Sequence, residues 1–194
     1  MSLSTAEVSI PVVETERLVL RAFGLSDLDD FARLRADAEV MRYIGTGTPH
    51  TREQTLERLR ANVGRWHANG FGHWAVVEKS SRELMGWCGL ARLDETPEVE
   101  VGYGLGRKFW GAGAATEVAR ASLRFGFEEH GLERIAAVAM PSNTASRRVM
   151  EKLGMRYLRD AHYYGAEVVY YAVARAEFRH SDAPYVLHKR GKMK

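Results

Sequence analysis

The stretch from Val99 to His130 constrains the fold more than any other part of the chain. Val99-Glu100-Val101-Gly102-Tyr103-Gly104-Leu105 alternates and is rich in β-forming residues, so it predicts a strand. Ala114 to His130 is Ala-rich and free of Pro, which predicts a long helix. Between them Lys108-Phe109-Trp110-Gly111-Ala112-Gly113 must turn the backbone. A Gly-x-Gly turn that opens a helix leaves unpaired N–H groups at the positive end of the helix dipole. Without a Cβ at Gly111 and Gly113, a phosphate can approach that backbone closely. By itself such a short pattern also fits a loop that binds nothing.

Two familiar phosphate loops do not fit. The dinucleotide fingerprint Gly-x-Gly-x-x-Gly follows a first strand, but here its third glycine falls on Thr116 and three strand patterns precede this one. A Walker loop ends in Gly-Lys-Ser/Thr, and Gly113-Ala114-Ala115 does not.

The rest of the chain supplies the frame. Glu16 to Phe23 alternates as a half-buried strand. Ser26-Asp27 offers an N-cap to a helix whose apolar face is Leu28, Phe31, Leu34 and Ala38. Gly45, Gly47 and Pro49 make Tyr43 to His50 a loop, after which Thr51 and Gln54 form a capping-box pattern for a second helix. Leu56, Leu59, Val63 and Trp66 line that helix, and Gly70 and Gly72 break it. His73–Glu78 and Leu84–Leu90, joined by a polar turn, predict an antiparallel hairpin, and Asp94 to Pro97 turns into the strand at Val99. Arg134–Ala139 reads as a strand buried on both faces. Ser142 or Asn143 caps a helix striped by Ala145, Val149 and Leu153, with Gly154 as its left-handed terminator. A closing hairpin turns at Tyr164-Gly165-Ala166.

The order β-α-α-β-β-β-α-β-α-β-β predicts an α/β (α+β) fold: a mixed, mostly antiparallel sheet of about six to seven strands flanked by about four helices. The expected organisation is a flexible segment 1–13, one domain over 14–178 and a basic tail over 179–194. The whole chain of 194 residues carries +3, but Lys189, Arg190, Lys192 and Lys194 supply four positive charges near its end with no acid among the last ten residues. Without them residues 1–184 carry −1, so the basicity belongs to the tail and binding of nucleic acid by the domain is not expected; an RNA or ribosome contact would use the tail. Cys88 is the single cysteine, which excludes an intrachain disulfide, and between Trp87 and Gly89 it reads as packing rather than as an acyl carrier. The seven histidines show no metal-ligand spacing, so no metal is expected. No signal-peptide layout or membrane-length apolar run is visible, which predicts a cytoplasmic protein, monomeric or homodimeric.

With these elements in place, Lys108-x-x-Gly111-x-Gly113-Ala114 resembles the Arg/Gln-x-x-Gly-x-Gly/Ala acyl-CoA signature of the GNAT N-acetyltransferases. Thr15-Glu16-Arg17-Leu18-Val19-Leu20-Arg21 resembles the opening strand of the RimJ/RimL-like, ribosomal-protein N-acetyltransferase branch. Glu100–Leu105 with Phe109-Trp110-Gly111 and Ala115-Thr116-Glu117 is similar to its strand-loop-helix core, and Asn143-x-x-Ser146-x-x-Val149 to Met155 to its later helix. The resemblance covers about residues 14 to 175.

It implies transfer of an acetyl group from acetyl-CoA to a primary amine, on a protein N-terminus or a small molecule, by direct attack through a tetrahedral intermediate. It also implies that the N–H groups of Gly111, Ala112, Gly113 and Ala114 hold the pyrophosphate, that Lys108 adds charge, that an N–H at Val101 or Gly102 faces the thioester oxygen, and that Asn143 contacts the pantetheine arm. Lys108 departs from the usual Arg or Gln and lacks a bidentate fork. Because an amine attacks only when neutral, a base is needed: Glu100 is the first candidate, His73 another, and Glu98 a third. Many relatives protonate the leaving thiolate with a Tyr that here is Met150, which leaves Ser146 as a proton relay and the general acid unassigned. The same departures at Met150 and Lys108 also fit a non-catalytic acyl-CoA-binding regulatory module.

Overall fold

The computed structural model describes residues 9–180 and 183–189. Nine strands form one sheet: β1 (Val12–Glu14), β2 (Leu18–Arg21), β3 (His73–Glu78), β4 (Leu84–Arg92), β5 (Val99–Leu105), β6 (Arg134–Ala139), β7 (Arg156–Tyr163), β8 (Ala166–Ala174) and β9 (Val186–His188), in the order β7-β8-β6-β5-β4-β3-β2-β1-β9. Five α-helices flank it: α1 (Leu28–Ala36), α2 (Ala38–Met41), α3 (Arg52–Asn69), α4 (Ala114–Glu129) and α5 (Thr144–Lys152). Every neighbouring pair is antiparallel except β5 and β6. The mixed, mostly antiparallel class expected from the sequence is therefore present, with two more short strands and one more short helix.

The local signals act as their chemistry requires. Thr51 Oγ1 accepts from the Gln54 N–H at 3.2 Å while Gln54 Oε1 accepts from the Thr51 N–H at 2.8 Å, closing the capping box of α3. Asn143 Oδ1 accepts from the Ser146 N–H at 3.1 Å and caps α5. Helix α1 starts differently from the Ser26-Asp27 expectation. A 3₁₀ turn over Leu25–Asp27 precedes it, and the Asp27 carboxylate accepts from the Gly24 N–H and pairs with Arg21 at 2.7 Å. Ala38 is not on the α1 face, because the chain extends at Asp37 and that residue caps the separate α2. On α5 the buried residue is Met150, followed by the buried C-cap Leu153, whereas Ala145 is exposed.

Helices α4 and α5 cover one sheet face, where Trp74 is fully buried with Trp66 and Phe125 rings 4.9 Å from it. Burying side chains of this size is the main source of stability, and a Trp-to-Ala cavity here would cost about 3–5 kcal/mol. Helices α1–α3 cover the other face over β2–β4, on Ala75, Val77 and Trp87.

The boundaries at 13 and 179 do not coincide with the ends of the sheet. Val13 is fully buried, and β1 pairs with both β2 and β9. Within the basic segment, Val186–His188 is a strand, His188 Nε2 meets Glu14 at 3.0 Å, and Lys189 pairs with Glu129. Residues 1–8 and the tail charges Arg190, Lys192 and Lys194 lie outside the described residues.

Candidate active site

The site is built where β5 leaves β6. Their parallel ladder contains one register pair, Glu100↔Ala136, although β5 continues to Leu105 and β6 to Ala139. Val101 and Gly102 therefore begin the part of β5 that pairs with β4 alone. Alternation along the strand sorts the side chains. Glu100 and Gly102 face the α1–α3 side, whereas Val101 and Tyr103 face α4 and α5.

At the end of β5 the chain enters a 3₁₀ turn (Arg107–Phe109) and then the Gly-x-Gly loop. Gly111 and Gly113 both have φ of +79°, a left-handed backbone that side chains with a Cβ disfavour. No carbonyl among the described residues accepts from the N–H groups of Gly111, Ala112, Gly113 or Ala114. These donors open α4, and a Cβ built on Gly111 meets no atom within 4 Å. Unpaired N–H groups, a helix N-terminus and open space over a glycine fit the pyrophosphate of coenzyme A.

Two arginine and lysine placements refine that cradle. Lys108 pairs with Glu83 and lies 5.0 Å from the Phe109 ring centroid, so its charge is already engaged. The cation fixed against the loop is Arg17, a role the sequence reading did not assign. Its Nη1 donates to the Ala112 carbonyl at 2.9 Å and its Nε to Glu117 at 2.8 Å. Glu117 also accepts from Thr15 Oγ1 at 2.6 Å and from the Arg17 N–H at 3.0 Å. Burial alone would raise the Glu117 carboxyl, but these bonds hold it below its ordinary value.

On the α1–α3 side Glu100 is held by Tyr164, whose hydroxyl donates to its carboxylate. Tyr164 sits at the β7–β8 turn with φ of +55°, its N–H donating to Asp94 at 2.9 Å and its hydroxyl accepting from the Asp94 N–H at 2.8 Å. Burial, with a smaller push from Asp94, raises the Glu100 carboxyl to about 7 against the lowering effect of Tyr164. A carboxyl poised at that value can take and release a proton near neutral pH. Glu98 instead accepts from the Tyr170 hydroxyl at 2.7 Å, which ties the residue before β5 to β8 across β6.

His73 reaches the same place. Its Nε2 lies 3.3 Å from where a Cβ on Gly102 would stand, so the glycine leaves room for the imidazole. Burial and the Arg65 and Arg35 charges push that imidazole down to about 3, which makes it a neutral group and a poor base at pH 7.

On the α5 side, the Tyr103 hydroxyl lies 3.0 Å from Ser146 Oγ and 3.3 Å from the Ser146 carbonyl, which accepts from it. Burial raises the Tyr103 hydroxyl further, so it stays protonated. Met150 is buried in the core and offers no donor. Cys88 Sγ packs 3.2 Å from Ser122 Oγ, and burial pushes the thiol up to about 12, as a packing residue requires. Among the described residues there is no group of three or more His, Cys, Asp or Glu that could hold a metal ion, and no helix is long and apolar enough to cross a membrane.

A diverging parallel strand pair, an anion cradle at the helix that follows, and a near-neutral carboxyl beside the gap define an acyl-CoA-dependent transferase. The model of the acetyltransferase (GNAT) domain matches residues 17–156, and the chain belongs to that family of acyltransferases. It is 34% identical over 162 residues to an uncharacterized protein, YkkB, of Bacillus subtilis, covering 81% of this chain and 92% of that protein. It is 33% identical over 162 residues to the FsC-acetyl coenzyme A-N(2)-transacetylase of Aspergillus fumigatus, covering 76% of this chain and 66% of the relative. The GNAT-family acetyltransferase structure from Bacillus anthracis superposes with a TM-score of 0.74 at 30% identity, covering 86% of this chain and 99% of that one. Acetyl-CoA is the acyl donor of this family.

Proposed function

We propose that the protein moves an acetyl group from acetyl-CoA to the primary amine of a small molecule or a protein N-terminus, with Glu100 as the general base. The observation that carries this reading is the Glu100 carboxyl, raised to about 7 at the point where β5 and β6 part. The transacetylase named among the relatives supports the donor and the bond formed.

Bound acetyl-CoA supplies a thioester carbonyl ready for attack by nitrogen. The N–H groups of Gly111, Ala112, Gly113 and Ala114 hold its pyrophosphate, with Lys108 able to exchange Glu83 for it. The free edge of β5 at Val101 and Gly102 lines up the pantetheine arm, and Asn143, already the α5 cap, flanks it. One N–H donor on a developing oxyanion is worth about 3 kcal/mol. Glu100 accepts the proton of the substrate ammonium, Tyr164 keeps its carboxylate oriented, and neutral His73 borders the acceptor. On the opposite side the hydrogen-bonded Tyr103 and Ser146 hydroxyls can relay to the departing sulfur the second proton that the attacking nitrogen sheds, each ending protonated as it began, a route that stands in for the donor missing at Met150. The RimJ/RimL-like assignment rests on the Thr15–Arg21 and Ala115–Glu117 residues, which meet in the Thr15–Arg17–Glu117 clamp. A cytoplasmic location accords with an acetyl-CoA donor.

Calorimetry with acetyl-CoA, followed by free-thiol release with a panel of amines, tests the reading. Binding and amine-dependent release are expected, and Gly113→Glu abolishes binding by placing a carboxylate in the cradle. Failure of the parent protein to bind acetyl-CoA would refute the proposal.

A further inference from the structure

Arg58, Asn62 and Arg65 fall at i, i+4 and i+7 of α3 and share one helix face. Asn62 fixes that face on the start of β3. Its Nδ2 donates to the His73 carbonyl at 2.7 Å, and its Oδ1 accepts from the His73 N–H at 2.9 Å. Arg35 reaches the same place from the last turn of α1. It is only 7% exposed, with its guanidinium 5.0 Å from the Trp87 ring centroid and its Nε donating to His50 Nδ1 at 3.2 Å. Arg65 Nε is buried with no hydrogen-bond partner among the described residues.

None of Arg35, Arg58 and Arg65 makes an ion pair among the described residues, although Arg17, Arg21, Arg52 and Arg124 all do. Burial and the Arg58 charge push Arg35 down to about 10 and also lower Arg65. Asp94 and Glu100 are engaged by Tyr164. A buried guanidinium is costly without a counter-charge, and here Arg35 is buried while Arg65 is half-buried with its Nε sealed from solvent. They also stand over the same stretch of β5: Arg35 stacks on Trp87, which lies against Gly104, and Asn62, one turn before Arg65, holds the His73 backbone where its imidazole lies against Gly102.

We propose that the acceptor is a small primary amine that also carries a carboxylate or phosphate group, and that Arg35 and Arg65 bind this anionic group while Glu100 faces the amine. The proposal rests on the acetyl-transfer reading and deepens it. A guanidinium matches either oxyanion through paired N–H donors. A polyamine would meet uncompensated repulsion at the same place.

Matched amines test it in the full chain: 4-aminobutyrate against butylamine for the carboxylate, and phosphoethanolamine against ethanolamine for the phosphate. The anionic member of at least one pair is expected to have a kcat/KM tenfold or more above its neutral partner. Arg65→Met and Arg35→Met are each expected to reduce that ratio at least tenfold, with calorimetric acetyl-CoA binding reporting that the variant is folded. Inorganic phosphate and acetate supply a readout that needs no turnover. Either is expected to shift the Arg35 and Arg65 Nε–Hε NMR signals saturably at constant ionic strength, whereas sodium chloride does not. Neutral amines turned over as well as anionic ones, with no saturable anion shift, would overturn the proposal and leave acetyl transfer standing. Saturable shifts without turnover of any amine would uphold the anion site and count against acetyl transfer.

Discussion

In Glu100, burial outweighs the hydrogen bond donated by Tyr164, and the carboxyl stands at about 7 where an exposed glutamate would stand near 4.5. Between these values the folded protein keeps a proton that the unfolded chain has released. The linked stability is therefore complete below pH 4.5 and is lost as pH rises through 7, by on the order of 3 kcal/mol. Glu100→Gln keeps an acceptor for Tyr164 and removes the buried charge. Urea denaturation is expected to find the variant more stable than the parent at pH 8 and indistinguishable at pH 4.5; a less stable variant at pH 8 would mean that the ionised carboxylate is favourably paired. Tyr164→Phe removes the bond that lowers Glu100, so the rising limb of kcat/KM should move to higher pH. An unmoved limb would show that Tyr164 does not act through Glu100.

Among the elements, the loop depends on its clamp. Thr15, Arg17 and Glu117 tie the first turn of α4 to β1 and β2, and Arg17 reaches on to the Ala112 carbonyl. Glu117→Gln weakens these charge-assisted bonds at a cost of about 1–3 kcal/mol. It should also raise the acetyl-CoA dissociation constant severalfold in calorimetry; unchanged affinity with lowered stability would limit the clamp to a folding role. Elements defined by neighbours in sequence were legible: the Thr51 box, the Asn143 cap, the helix break at Gly70, the left-handed Gly154, and the Gly111–Ala114 turn all follow from local chemistry. Partners that meet only through folding were not. Tyr164 read as a hairpin tip, Tyr103 as one more strand residue and Arg17 as an alternating strand position, because each acquires its partner from a segment more than forty residues away, as in the Tyr103–Ser146 separation of 43. Arg35 and Arg65 sit on separate helices, and nothing in either local pattern shows that they converge.

For the whole molecule, one edge of the sheet is made by β1 and β9, which come from opposite ends of the described chain. Three-residue strands β1 and β9 lie far apart in sequence, and neither is long enough to announce itself by alternation. Tyr185 packs 4.3 Å beneath the Arg124 guanidinium, and Lys189 pairs with Glu129, so the C-terminal segment braces α4 as well as β1. Deleting residues 183–194 should lower the melting temperature by roughly 5 °C, for about 2 kcal/mol lost. If the melting temperature holds, β9 contributes no stability. The same deletion leaves the β5–β6 gap intact, so the pH dependence of turnover should persist.

The most direct measurement is free-thiol release from acetyl-CoA, as kcat/KM for the best amine of the panel from pH 5.5 to 9, in the parent and in Glu100→Gln. The parent should rise through an apparent pKa near 7, and the variant should lose that limb and fall at least about 100-fold at pH 8. A Glu100→Gln profile with the parent's limb and rate would contradict the assignment of Glu100 as the base.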